Sequence, residues 1–280
     1  MRLGERMNLE SMFILNNGVE IPLLGFGTYK VEPGEVTTRV VKEALEVGYR
    51  HIDTAKYYGN EADVGKAIRE SEIPRDNIFV TTKLWNSDQG YEKAMEAFDG
   101  SLDRLGLEYI DLYLIHWPVS GKYLESWTAL EDILRSGRVR AIGVSNFMVH
   151  HLEDLLVNCT VEPSVDQVEF HPHLVNLELL EFCREKGIQM EAWSPLKQGA
   201  MPYDRGMAGI GWRYGKTASQ ATLRWDLQHG VVAIPKSIRK DRMVENSQIF
   251  DFELTPAEMR TIDSLDRGDR VGPDPDRVDF

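Results

Sequence analysis

Cysteine is scarce, with two in 280 residues, Cys159 and Cys183. Both stand in helix-like runs without C-x-x-C spacing. This argues against a disulfide framework or a thiolate zinc site, and leaves two buried thiols in a cytoplasmic setting. Long apolar runs are missing as well. No stretch of about 18 apolar residues occurs, so no segment is expected to span a membrane. The N-terminal MRLGERMNLESMF lacks the apolar core of a signal peptide. There is no excess of basic charge. A net charge of −13 repels nucleic acid and anionic lipid, so neither is expected as a partner. An anionic small ligand would need its own local basic site. Finally, no complete G-x-G-x-x-G is present. GFGTYK at Gly25 has Lys30 where a third glycine should stand, and reads instead as a tight backbone passage after a strand.

What the chain does contain is a rhythm. An Asn16-Asn17-Gly18 turn between Phe13–Leu15 and Val19–Ile21 predicts a β-hairpin. After Pro22, short β-like runs alternate with amphipathic helical ones. The strands are expected at 23–29, 50–55, 78–84, 109–116, 141–146, 164–170, 188–194 and 231–237. The helices are expected at 35–47, 61–70, 91–105, 125–136, 148–158, 177–186, 217–229 and 240–250. An extra helix over 256–265 follows, with Thr255 as its N-cap. Alternation of this kind implies a parallel sheet, and eight units close into a (β/α)8 TIM barrel. The expectation is therefore one α/β barrel domain over 1–280, with an N-terminal hairpin, an added C-terminal helix, and irregular tails at 1–12 and 268–280.

Active sites of such barrels lie at the C-terminal ends of the strands. On this chain the polar residues gather there. Asp53 ends the second barrel strand, Lys83 the third and His116 the fourth. The fifth runs into Ser145-Asn146, Gln167 lies in the sixth, Trp193-Ser194 closes the seventh, and Lys236-Ser237 the eighth. VTTKLW and LYLIHWP embed Lys83 and His116 in apolar runs, where an unpaired charge is costly. Asp53 is the nearest candidate counter-ion, since adjacent strands lie about 4.8 Å apart. The neighbouring HIDTAKYYGNE adds two adjacent tyrosines, Tyr57 and Tyr58.

These residue types suit reduction of a carbonyl. The developing alkoxide needs a proton, and a free phenol with a pKa of about 10 is a reluctant donor. A lysine beside it is expected to lower that pKa, an aspartate to keep the lysine charged, and a neutral imidazole to orient the carbonyl oxygen. The hydride must come from a cofactor. These considerations do not choose between Tyr57 and Tyr58.

The chain resembles the aldo-keto reductase superfamily. The carriers are LGFGTY at Leu24, GYRHIDTAKYYGNE at Gly48, VTTKLWN at Val80, IDLYLIHWP at Ile110, IGVSNF at Ile142, QVEFHPH at Gln167 and IPKSIRKDRMVEN at Ile234. The resemblance implies a catalytic tetrad of Asp53, Tyr58, Lys83 and His116, the tyrosine standing five residues after the aspartate. It also implies a nicotinamide cofactor held without a Rossmann fold. Ser145, Asn146 and Gln167 would bond the carboxamide. Trp193 would stack on the nicotinamide, where many relatives have Tyr. Gly27, Thr28 and Asp53 would line the ribose, and Ser194 and Leu196 the pyrophosphate. Lys236, Ser237 and Arg242 would hold a 2′-phosphate, and Glu245 and Asn246 the adenine. KSIRKDR concentrates Lys236, Arg239, Lys240 and Arg242 at a helix start, where acids are usual, which favours NADPH over a weaker NADH.

Tyr29, Tyr57, Trp85 and Trp117, with His116, are the expected substrate wall. The short tail with GPDPD resembles bacterial-type members of the diketogluconate-reductase and glyoxal-reductase kind. It implies an open pocket for small aldehydes, α-dicarbonyls and keto-sugars, and monomers are common among relatives. HPH at His171 and His173 reads as a strand exit, and no metal is expected. Two other readings remain. One is a Schiff-base aldolase using Lys83. The other is a non-catalytic or slow nicotinamide-binding sensor.

Overall fold

The computed structural model describes residues 7–278 and 280. The chain opens with an antiparallel hairpin, β1 (Met12–Ile14) and β2 (Glu20–Pro22). Its strands sit one residue outward of the expected ones. The Leu15–Val19 pair still closes the turn, the Leu15 N–H donating to the Val19 carbonyl (2.8 Å).

Eight parallel strands follow: β3 (Phe26–Gly27), β4 (His51–Asp53), β5 (Phe79–Leu84), β6 (Ile110–Ile115), β7 (Val139–Ser145), β8 (Val165–Glu169), β9 (Gln189–Trp193) and β10 (Val232–Ala233). They pair in chain order. A parallel bridge between Leu24 and Ala233 joins first to last, and the Gly25 N–H donates to the Ala233 carbonyl at 2.8 Å. The sheet is thus a closed (β/α)8 barrel. At this seam Gly25 explains GFG. A Cβ there would fall 2.7 Å from His51 Nδ1, so the glycine lets the backbone pass the ring. The passage lies within the barrel seam, not after a strand as expected. The ladder there is also shorter than the 23–29 run.

Ten helices are described: α1 (Glu35–Val47), α2 (Glu61–Arg69), α3 (Tyr91–Leu105), α4 (Tyr123–Arg135), α5 (Val149–Asn158), α6 (Leu177–Lys186), α7 (Arg205–Trp212), α8 (Ala218–Gln228), α9 (Lys240–Ser247) and α10 (Pro256–Asp263). Among the described residues, none is long and apolar enough to cross a membrane. Thr255 caps α10 as expected: its hydroxyl accepts from the Glu258 N–H, and Glu258 accepts from the Thr255 N–H. The sequence pattern does not announce α7. RGMAGIGW carries three glycines in eight residues, a poor intrinsic helix. Packing of Met207 and Ile210 and the Asp204 N-cap supply what propensity does not.

The barrel interior changes character along its axis. At the N-terminal end, Leu15 and Ile21 of the hairpin close onto Phe79, Leu112, Leu114, Ala141, Val165 and Val232. A polar layer of His51, Thr81 and Glu191 follows, fully buried. Asp53, Lys83 and Gln167 lie next to it, towards the mouth.

After α10 no regular element forms, as expected, yet the tail is not loose. The Arg267 and Asp269 N–H groups donate to the His173 carbonyl. The Val271 and Gly272 N–H groups donate to the buried Glu169 carboxylate (2.6 and 3.0 Å), and Asn86 Nδ2 donates to the Phe280 carbonyl (3.1 Å).

Candidate active site

The register of β4 and β5 brings Asp53 and Lys83 together. Lys83 Nζ donates to both Asp53 oxygens (2.8 and 2.7 Å) and to the Thr54 carbonyl (2.9 Å). The ammonium is fully enclosed, and this pairing is what makes a buried lysine tolerable. Gln167 Nε2 adds a third hydrogen bond to the Asp53 carboxylate (2.8 Å). The fourth contact of Lys83 is the Tyr58 hydroxyl, at 3.4 Å.

A 3-10 turn over Lys56–Tyr58 sends the adjacent tyrosines apart. Tyr58 points to Lys83, with its ring centroid 5.0 Å from that of Tyr29 and 5.9 Å from that of His116. Tyr57 turns outward and stacks on Trp85 at 3.9 Å. The turn is held by Asn60, which sequence reasoning missed. Its Oδ1 accepts from Thr54 Oγ1 (2.7 Å) and its Nδ2 donates to the Thr28 carbonyl (3.1 Å). An asparagine two residues after Tyr58, just before the helix start at Glu61, was the available signal.

Burial pushes the Tyr58 phenol well above 10, and the nearby Asp53 carboxylate pushes it further. The expected lowering by lysine is therefore not what this geometry gives. The ammonium is engaged with Asp53 and Thr54, leaving only the 3.4 Å contact for the phenol. Tyr58 keeps its proton at every physiological pH. Burial and the Lys83 charge hold His116 well below 6.5, so its ring is neutral. Its Nδ1 is enclosed with no partner among the described residues, which favours the proton on Nε2.

The residues expected to hold the cofactor line the same rim. Ser145 Oγ donates to the Gln167 carbonyl (2.7 Å). Asn146 Nδ2 donates to the His116 carbonyl (2.9 Å), while Asn146 Oδ1 accepts from Trp193 Nε1 (2.8 Å). Asn146 and Ser194 both adopt positive φ (65° and 51°), strained for non-glycine residues and at adjacent parts of the mouth. Thr28 donates to the Asp53 carbonyl through its N–H and Oγ1 (3.0 and 2.9 Å), and a Cβ on Gly27 would sit 3.0 Å from the Ile234 carbonyl oxygen. Leu196 follows at the β9 exit, partly buried.

The basic cluster divides in two. Arg239 pairs with Asp241, and Lys240 with Glu46, so both are engaged elsewhere. Among the described residues, Lys236 and Arg242 have no carboxylate within 4.0 Å. Partial burial and the nearby Lys30 ammonium lower the Lys236 pKa, as expected of cations gathered without an anion. Lys30, which also donates to Gln198 Oε1 (3.0 Å), was not singled out from the sequence. Ser237 Oγ accepts from the Arg239 N–H (3.1 Å). Glu245 accepts from Thr217 Oγ1 (2.8 Å), and Asn246 is buried beside it on α9.

Of the expected substrate residues, Tyr57 stacks on Trp85 and Tyr29 lies beside Tyr58, but the open pocket needs correction. The anchored tail brings Phe280 to 5.4 Å from Trp117 and 6.3 Å from Trp85. Gly272 presses on Trp193, where a Cβ would lie 2.3 Å from the indole. Thirteen residues after Arg267 suffice to reach the mouth because Glu169 and His173 redirect the chain.

The imidazole nitrogens of His171 and His173 are engaged within the fold. His173 Nδ1 faces Lys197 and Arg267, and His171 Nε2 meets Glu169 at 3.0 Å. His150, His151 and Asp276 have ligand-like spacing, yet the Met148 N–H occupies His151 Nδ1 (3.1 Å). That fixes the proton on Nε2, the atom a metal would need. His150 Nε2 lies 3.1 Å from Asp276 Oδ1 of the tail.

Comparison with known proteins agrees with this geometry. Residues 23–267 match the aldo/keto reductase family. A glyoxal reductase of Bacillus subtilis (strain 168) is 52% identical, over 98% of this chain and 99% of its own. The crystal structure of MGS-M4, an aldo-keto reductase enzyme from a Medee basin deep-sea metagenome library, superposes with a TM-score of 0.93 at 47% identity. It covers 96% of this chain and 100% of that one. A Bombyx mori aldo-keto reductase in complex with NADP gives 0.90 at 34% identity, covering 96% and 97%. The chain belongs to the aldo/keto reductase family.

Proposed function

We propose that this protein reduces small aldehydes, α-dicarbonyls or keto-sugars to alcohols, with NADPH as reductant and Tyr58 as proton donor. The observation that carries the reading is the Tyr58 hydroxyl at 3.4 Å from Lys83 Nζ, beside a neutral His116 and under an aromatic wall. The residues fit a phosphorylated dinucleotide, since Lys30 and Lys236 lie near one another, and neither they nor Arg242 have a carboxylate in salt-bridge contact among the described residues. NADH lacks the phosphate and binds more weakly.

When bound, NADPH supplies the hydride that the carbonyl carbon accepts. The chain's own residues do the rest. His116 Nε2–H donates to the carbonyl oxygen and orients it. Tyr58 holds the proton that this oxygen takes up. Asp53 and Lys83 fix the phenol. Ser145, Asn146 and Gln167 would hold the carboxamide and Trp193 the nicotinamide ring, Gly27, Thr28 and Asp53 the ribose, and Ser194 and Leu196 the pyrophosphate. Lys236, Ser237 and Arg242 would hold the 2′-phosphate, and Glu245 and Asn246 the adenine.

The two bonds to Asp53 occupy Lys83 Nζ, which argues against Schiff-base chemistry. The full tetrad argues against a purely sensory protein. Two free cysteines and a strongly acidic surface fit a monomer in the cytoplasm.

The test is NADPH oxidation, followed by absorbance, with small aldehydes, α-dicarbonyls, keto-sugars and steroid ketones. Turnover confined to steroids contradicts the substrate class, and none with any carbonyl favours the sensor. Arg242→Ala should raise the KM for NADPH by ~10-fold or more while leaving that for NADH unchanged. Equal wild-type KM values for the two cofactors would remove the argument for NADPH.

A further inference from the structure

Below the tetrad lies an acid that the mechanism above does not use. Glu191, on β9, is fully buried inside the barrel. Its Oε2 accepts from Gln167 Nε2 at 3.0 Å, and the same nitrogen donates to Asp53 Oδ2 at 2.8 Å. One amide group thus spends both hydrogens on two carboxyl groups. Glu191 Oε1 has no hydrogen-bond partner among the described residues, and His51 Nε2 lies 3.6 Å from it.

The layer holds one ammonium for two acids. Lys83 sits on Asp53 with two short bonds and reaches no oxygen of Glu191 within salt-bridge distance among the described residues. His51, the other basic group facing Glu191, is kept neutral by burial and by Lys83, at about 3. A second anion here would be buried, uncompensated and close to the first. Burial and the Asp53 carboxylate push Glu191 up to about 8, against the pull of Gln167 and Lys83. Because Lys83 claims Asp53, the shared proton of the pair belongs to Glu191.

We propose that Glu191 is a positioning residue of the reduction. Protonated, it holds the Gln167 amide with its nitrogen inward, and its ionisation weakens proton delivery from Tyr58. The first half follows from the donor inventory. With both N–H bonds turned to carboxyl groups, the amide oxygen of Gln167 is the atom left for an N–H donor at the mouth. The second follows from charge. Ionised Glu191 adds to Asp53 in raising the proton affinity of the Tyr58 phenol, which makes it a poorer acid. The groups facing Glu191 are His51 and Asp53 of β4, Lys83 of β5 and Gln167 of β8, with Tyr58 beyond them. Only Glu191 changes charge near neutral pH on this account. The alkaline fall in reduction rate is thus assigned to it and not to Tyr58. This rests on the reading of Tyr58 as proton donor.

The experiment is the pH profile of kcat and kcat/KM for NADPH-dependent reduction between pH 6 and 10. Wild type should fall ~10-fold or more between pH 7 and 9.5. Glu191→Gln accepts the same bond but cannot ionise, so its fall should be under ~3-fold. Glu191→Leu, unable to hold Gln167, should lose ~10-fold in kcat at pH 7, a loss that the Gln variant largely avoids. A second readout uses the cofactor-free protein. The infrared band of a protonated buried carboxyl should disappear as pH rises through about 8, and this titration should be missing from Glu191→Gln. An alkaline limb or an infrared titration unchanged by Glu191→Gln overturns the proposal. If that happens while Tyr58→Phe is inactive, only the present proposal fails. If Tyr58→Phe keeps wild-type rates, the proton-donor reading fails and this proposal with it.

Discussion

Lys83 shows how much of this site is decided by a single side chain. It is a buried cation whose charge is met by Asp53, and whose remaining bonds go to Thr54 and Tyr58. Removing one member of such a pair leaves the other uncompensated, which is worse than removing both. Lys83→Met should therefore lower unfolding free energy by about 3–5 kcal/mol at pH 7. The double variant Lys83→Met with Asp53→Asn should recover part of the loss. Sign matters here. Burial already raises the Asp53 pKa in the folded state, and loss of Lys83 raises it further. A folded-state acid of raised pKa binds a proton that the unfolded chain releases. The deficit is then fully present above the folded pKa and shrinks as pH falls towards the ordinary carboxylate value. Urea titrations at pH 7 and pH 4.5 measure this. A larger deficit at the lower pH would contradict it.

At the scale of elements, the C-terminal tail is the piece whose role the sequence least discloses. It has no regular structure, yet its path is fixed by Glu169 at the end of β8. Burial would raise the Glu169 pKa, but the hydrogen bonds from His171, Val271 and Gly272 outweigh it and bring the value below normal. The sign follows. A depressed folded pKa gives stabilisation that is complete above the ordinary carboxylate value and is lost as pH falls through the folded one. Hydrogen-exchange protection of the Val271 and Gly272 amides should thus hold at pH 6 and decline below pH ~4.5. Glu169→Leu should abolish it at both pH values and widen the pocket beside Trp193. Protection that survives this substitution would mean that other contacts hold the tail.

For the whole molecule, the barrel was legible because its signals are redundant. The helices at 35–47, 91–105 and 177–186 occur where amphipathic spacing placed them. A count of eight units leaves little choice of architecture. The rim was legible for a different reason. Lys83 and His116 interrupt apolar strands, where chance seldom puts such polar groups. What escaped was decided by tertiary packing. Gly25 is required by the His51 ring across the seam. Arg239 and Lys240 look like phosphate ligands until Asp241 and Glu46 are seen beside them. Glu191 shows its meaning only once β8 and β9 set it against Gln167. The Tyr58 phenol is shifted upward because burial outweighs a lysine already bound elsewhere, a balance that spacing along the chain does not record.

The central claim is that Tyr58, and not Tyr57, supplies the proton in NADPH-dependent carbonyl reduction. It is tested by comparing Tyr58→Phe and Tyr57→Phe for kcat with a small α-dicarbonyl, alongside NADPH affinity from quenching of tryptophan fluorescence. The account predicts that Tyr58→Phe loses ~100-fold or more in kcat with NADPH affinity within ~3-fold of wild type, while Tyr57→Phe changes kcat by less than ~5-fold. A Tyr58→Phe enzyme that still turns over at the wild-type rate, or a Tyr57→Phe enzyme that does not turn over, would contradict it.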